Sequence, residues 1–244
     1  MVGRRMTRPR LLLFPTTTEL EWVIRPQLQQ WADVLSFNAP GIGGEAVPEH
    51  YDSSAVAELA AAKVHERGWE SCVVAADDFS AAAALKFATS RRDIVQGMAF
   101  GHAALSFNPD ADPPAVNAEV RAAFAQITKL DDRTFVRHLT QVTQGQFDDA
   151  LGDQLLEDLP TGVGQAYLSA DLADPGDWIE GALRELDRPL LLAAHEPCLL
   201  FTREGYDAAV AAFPDAMRVT CRLKPNVSPE FADALREFCE RIGA

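Results

Sequence analysis

The chain has 244 residues, with 36 acidic side chains against 22 basic ones and a formal net charge of −14. That balance argues against a nucleic-acid-binding surface, because phosphate contacts need clustered Lys and Arg and the acidic residues here are spread along the whole sequence. The longest apolar run, around Leu190 to Ala194, is far too short for a bilayer, and the arginines near the N-terminus are not followed by an apolar stretch, so a cytoplasmic protein without membrane contact is expected.

The length fits one large domain, or a domain carrying an inserted lid, with a core that needs neither disulfides nor metal. Arg10 to Phe14 is a short apolar run stopped by Pro15, and Val34 to Phe37 is another stopped by Pro40-Gly41; both read as buried strands. Between them Leu20, Val23, Ile24, Leu28 and Trp31 have helical spacing, interrupted by Pro26. Ser54 to Arg67 is a predicted helix ended by Gly68. Cys72 to Ala76 follows as an apolar run without alternation, which suits a parallel strand covered on both faces. A tight turn at Asp77 to Ser80 leads into the alanine-rich helix Ala81 to Ala88, and Val95 to Phe100 is the next strand.

From Asn108 to Asp187 the strand signal disappears, and helical stretches are expected near Val116 to Ile127, Arg133 to Val142, Phe147 to Leu155 and Trp178 to Leu186. Alternation then returns: a strand at Pro189 to Ala194, a helix at Tyr206 to Phe213, a strand at Arg218 to Leu223 and a helix at Pro229 to Ile242 with Ser228 as N-cap. The series predicts an α/β fold: an open, mostly parallel sheet with helices on both faces, formed by 1–107 and 188–244, and a helical cap inserted over 108–187. In such sheets the site lies at the carboxyl ends of the strands, here beneath the insertion.

Cys72, Cys198, Cys221 and Cys239 form no C-x-x-C pair and are read as reduced thiols, Cys198 as a packing residue. Pro40-Gly41-Ile42-Gly43-Gly44 lacks both the phosphate-loop Lys-Ser/Thr and the dinucleotide spacing. Neither metal nor cofactor is expected.

The order of these elements resembles the α/β-hydrolase family. Leu11-Leu12-Leu13-Phe14-Pro15 is similar to the strand that ends in His-Gly, Asn38-Ala39-Pro40-Gly41-Ile42-Gly43 to the Asp-x-Pro-Gly-x-Gly turn, Val73 to Ala88 to the nucleophile elbow with its helix, and Phe231 to Ile242 to the final helix. Arg10 lies so near the start that the family's two leading antiparallel strands are expected to be missing, leaving a shortened sheet whose open edge favours a homodimer.

The resemblance places Ala76-Asp77-Asp78-Phe79-Ser80 on the Gly-x-Ser-x-Gly elbow, with Asp78 at the nucleophile position. Aspartate there resembles the haloalkane dehalogenase and epoxide hydrolase branches, in which a carboxylate forms an ester that water then cleaves. The family's late histidine is absent: the corresponding segment reads Arg222-Leu223-Lys224-Pro225-Asn226. Glu196 is the nearest carboxylate to the family's acid position, and the strand-end histidines His102 and His195 are candidates to handle the proton. By the same resemblance, oxyanion donors or substrate contacts fall on Thr16, Thr17, Phe79 and Asn38. His50, His65 and His138 are weaker candidates.

The reading that follows is an enzyme acting on a small apolar molecule, with Asp78 as nucleophile or general base. In a largely apolar pocket the Asp78 pKa is expected to rise, which favours base chemistry. The alternatives are a non-catalytic ligand-binding relative and a lyase or cyclase of secondary metabolism.

Overall fold

The computed structural model describes residues 8–102, 106–108, 110, 112, 114–144, 149–195, 198 and 200–244. Chain order is β1 (Arg10–Leu13), α1 (Arg25–Leu28), β2 (Asp33–Ser36), α2 (Ser53–Glu66), β3 (Cys72–Asp77), α3 (Ser80–Ser90), β4 (Val95–Gly101), α4 (Ala118–Ile127), α5 (Asp132–Gln144), α6 (Asp149–Asp158), α7 (Val163–Ala173), α8 (Ile179–Leu186), β5 (Leu190–His195), α9 (Arg203–Ala212), β6 (Met217–Cys221) and α10 (Pro229–Ile242). The six strands make one sheet in the order β2-β1-β3-β4-β5-β6, and every pairing is parallel.

Strand alternation divides the core between the two faces. Leu12 and Val74 join one cluster, with Val56, Ala60 and Val64 of α2, the alanines of α3, and Ile179 and Leu183 of α8. Leu11, Leu13, Val73 and Ala75 face the other way, onto Leu28 of α1 and Phe231, Leu235 and Phe238 of α10. Both faces of β3 are thus covered, which explains its unbroken apolar run. Asp52 starts α2 by accepting from the Ser54 and Ala55 amides, a cap that contributes about 1 kcal/mol.

Two segments depart from the sequence reading. The helical pattern after β1 resolves into a three-residue 3-10 turn, Glu19–Glu21, and the single turn of α1, because Pro26 lacks an N–H and the Glu21 side chain bonds backward to the chain before it. Helix α7 had no counterpart in the reading; its Tyr167 hydroxyl donates to the Pro40 carbonyl and ties the insertion to the loop after β2.

That loop explains its own glycines. Gly43 has φ of 57°, and a Cβ there would stand 2.1 Å from Asn38 Nδ2. Register finishes the central strands level: Asp77 pairs with Gly101 and His195 with Cys221, so the strand-end side chains meet at one edge of the sheet.

Candidate active site

The turn from β3 into α3 passes through Asp78 in the left-handed region, at φ of 52°. A non-glycine residue there is strained and persists where the surroundings fix it. Ser80 supplies one clamp, since its hydroxyl donates to the Asp77 carbonyl at 2.7 Å and accepts from the Asp77 amide at 3.0 Å. Small residues flank the turn for steric reasons: Ala76 is fully buried, and Ser80 is 4% exposed.

Four ionisable side chains converge on this elbow. His102 Nδ1 lies 2.9 Å from Oδ1 of Asp77 and 2.9 Å from Oδ1 of Asp78. Both neighbours are acceptors, so Nδ1 carries the proton and donates. Lys224, after β6, makes a close ion pair with Asp78 Oδ2 and stands 3.7 Å from Asp77 Oδ2. Asp77, Asp78, His102 and Lys224 are all almost wholly buried at their side chains.

The electrostatics are those of a compensated cluster. Burial by itself would raise the Asp78 pKa, but Lys224 and His102 outweigh it and hold the carboxyl well below the usual range. Burial likewise opposes charge on His102 and Lys224, and the paired carboxylates overcome it and raise both pKa values. The expectation of a raised Asp78 pKa is therefore corrected. The pocket around this carboxylate is not apolar, because two cations touch it.

His195, at the end of β5, is partly exposed, and its ring centroid is 5.6 Å from that of His102 in an edge-on arrangement. Burial and then the His102 charge lower its pKa. Phe201 stacks on His102 with centroids 5.4 Å apart, and Phe79 and Phe107 complete an aromatic wall beside the ion cluster. Glu196 lies outside the described residues.

The segment after β1 is already filled. Glu21 accepts from the amides of Thr16 at 2.8 Å, Thr17 at 2.7 Å and Thr18 at 3.0 Å, and from the Thr17 hydroxyl at 2.6 Å. The donors expected at Thr16 and Thr17 thus face a carboxylate of the chain itself. Asn38 Oδ1 accepts from the Glu19 amide and holds the same turn. Phe79 follows Asp78 and heads α3. His50, His65 and His138 are exposed, unlike the buried members of the cluster.

Two ionisable groups here had not been singled out. Lys224 stands in the segment where the family resemblance puts the late histidine, and two buried aspartates without a second cation were the signal for it. Asp171 of α7 is the other: burial first, then Asp174 and Glu21, raise its pKa well above the ordinary aspartate value, with Lys86 opposing.

A parallel sheet in this strand order, turning through a left-handed residue at the end of its third strand into a buried helix, is an α/β-hydrolase fold. Solved structures agree over nearly the whole chain. A hydrolase from Oleispira antarctica superposes with a TM-score of 0.77 at 12% identity, covering 98% of this chain and 92% of that one. A thermophilic esterase from Thermogutta terrifontis gives 0.74 at 19% identity over 98% and 92%. A haloalkane dehalogenase loop variant from Bradyrhizobium elkanii gives 0.72 at 14% identity over 99% and 92%. No family model matches the sequence, and neither does any curated protein.

Proposed function

We propose that the protein is an enzyme acting on a small apolar molecule, with the Asp78 carboxylate as nucleophile. The observation that carries this reading is Asp78 itself: an ionised carboxylate at the left-handed elbow, fixed by His102 and Lys224 beside the wall of Phe79, Phe107 and Phe201. A carboxylate held this far down in pKa is a poor general base, so attack on carbon is favoured over proton abstraction.

In that reaction an Asp78 oxygen forms a bond to an electrophilic carbon, and the bonding pair leaves with a halide or moves to the oxygen of an opening epoxide, which stays on the alkyl group and takes a proton from solvent. Water then adds at the ester carbonyl carbon, its proton passing to His195. Collapse of the adduct returns the proton to the departing alcohol oxygen and frees the carboxyl group, which gives up its own proton to solvent. The Phe79 amide is the oxyanion donor in this reading, and the helices of 108–187 form the cap.

The neighbouring folds support hydrolase chemistry in general; one of them is described as a haloalkane dehalogenase. A second reading, a non-catalytic ligand-binding relative, draws on one fact: both Asp78 oxygens already have partners, His102 at Oδ1 and Lys224 at Oδ2.

Intact-mass spectrometry after exposure to a panel of alkyl halides and epoxides tests the first reading. The expected result is an alkyl adduct mapped to Asp78, absent in Asp78→Asn and accumulating in His195→Ala. Saturable binding of the panel compounds with neither adduct nor turnover would favour the second. Turnover of simple esters at ordinary enzyme rates, unchanged in Asp78→Asn, would overturn both.

A further inference from the structure

His102 commits only one of its ring nitrogens to the ion cluster. Nδ1 serves Asp77 and Asp78, while Nε2 is buried without a hydrogen-bond partner on a side chain that is 3% exposed. A buried ring nitrogen left unpaired needs a reason. Beside it stand two groups from the end of β5 and the loop that follows: a donor nitrogen of His102, one of His195 and the Cys198 sulfur all lie within 4.8 Å of one another. With Nδ1 taken, Nε2 is the His102 nitrogen available to that cluster. We propose that His102, His195 and Cys198 form a binding site for a divalent metal ion of the zinc class. The paired carboxylates keep the free His102 ring protonated, so a metal ion binding there displaces the Nε2 proton to solvent.

The donor set suits such an ion. Two imidazoles and one thiolate match a borderline-soft cation in tetrahedral geometry and leave its fourth position open to water or a small anion. Zinc–ligand bond lengths set neighbouring donor atoms about 3.5 Å apart, so the site closes by about 1 Å of side-chain movement. His195 and Cys198 have the freedom to make it, since both are partly exposed.

His102 is the fixed member, with Phe201 stacked on its ring and Asp77 bonded behind it at 2.9 Å. A carboxylate behind a metal-binding histidine orients the ring and makes the opposite nitrogen a better ligand. The Phe201 amide donates to Cys198 Sγ at 3.4 Å, a contact that stabilises a thiolate there. The other close set of donors, Asp77, Asp78 and His102, already holds a cation in the Lys224 ammonium. No sequence spacing signals the three ligands, because they come from separate strand ends that register brings level.

An ion in this site takes the His195 lone pair that the ester-cleaving step needs, so the metal-loaded chain is the slower catalyst; this consequence, unlike the binding itself, rests on the Asp78 reading. The test is titration of the full chain with Co2+, followed by thiolate-to-cobalt charge-transfer absorption and by competition with Zn2+. One Co2+ per chain with a thiolate band is expected. His195→Ala and Cys198→Ser each remove a ligand and should weaken binding by at least the roughly 10- to 100-fold that loss of an outer-shell partner costs, Cys198→Ser with loss of the band, and Asp78→Asn should retain it. Circular dichroism checks that each variant folds, and Cys198→Ser decides alone if His195→Ala does not. Absence of the thiolate band, or affinity unchanged in both ligand variants, overturns the site. An Asp78 adduct without a cobalt band would remove the metal site and leave the nucleophile standing; the reverse pair of results would do the opposite.

Discussion

The two turns that flank the candidate site handle charge in opposite ways. At the β3–α3 elbow the backbone turns through the left-handed φ of Asp78 and carries a buried cluster of two carboxylates, an imidazole and an ammonium. After β1, Glu21 accepts from three successive backbone amides. One turn presents charge that needs partners; the other presents partners that already hold a charge. The pair teaches that donor positions alone do not make an anion site, and that a buried carboxylate takes its protonation from the groups that touch it.

The largest expected effect comes from breaking the elbow. Lys224→Met leaves two buried carboxylates facing a single imidazole, and loss of one partner of a buried ion pair costs about 3–5 kcal/mol. Urea unfolding should show that loss, and adding Asp78→Asn should recover part of it. Equal stability of Lys224→Met and the parent chain would mean that the cluster does not hold the elbow.

The β1 turn should give less. Glu21→Ala removes the acceptor from three amides, with an expected cost of about 1–3 kcal/mol for the groups left unpaired. Acetate or formate should restore part of the lost melting temperature in this variant and leave the parent unaffected. If neither anion does so, the amides are not a usable anion site.

Asp171 sharpens the contrast with the smallest effect. Its folded pKa is raised, so the native state binds more protons than the unfolded one between the ordinary aspartate pKa, about 3.9, and the raised value. Stability from this group is therefore lost as pH rises through that window. Asp171→Asn is expected to melt higher than the parent at neutral pH, with the gain shrinking toward pH 4. A constant difference across the range would assign it to packing instead of charge.

The sheet was legible in the sequence chiefly through β1, β3 and β5, which carry unbroken apolar runs, whereas β6 alternates with Arg218 and Thr220 exposed; the elbow was legible because Ala76 and Ser80 are small. Helix α7 was not, since Val163–Ala173 shows little amphipathic spacing and packs on several sides. The strand-end positions of His102 and His195 made both candidates to reach Asp78, and the sequence does not choose between them; in the structure His102 Nδ1 makes the contact. Lys224 is not legible from the family pattern, which has a histidine in the segment after β6; the buried charge at the elbow, which must be neutralised, is the physical signal for a cation there. The blocked amides were invisible because Glu21 reaches them through a 3-10 turn, and the sequence pattern predicted a longer helix over those residues.

Gly101 carries one more consequence. A Cβ at this position would stand 2.3 Å from Asp77 Oδ1 and 2.7 Å from Pro225 Cβ, so the carboxylate and the proline after Lys224 meet over the space that the glycine leaves. The aspartate pair, Gly101-His102 and Lys224-Pro225 are thus one interlocked unit although they lie far apart along the chain. Three dipeptides at the ends of the third, fourth and sixth strands, Asp-Asp, Gly-His and Lys-Pro, therefore constrain one another, so that a change in any one of them is felt by the other two.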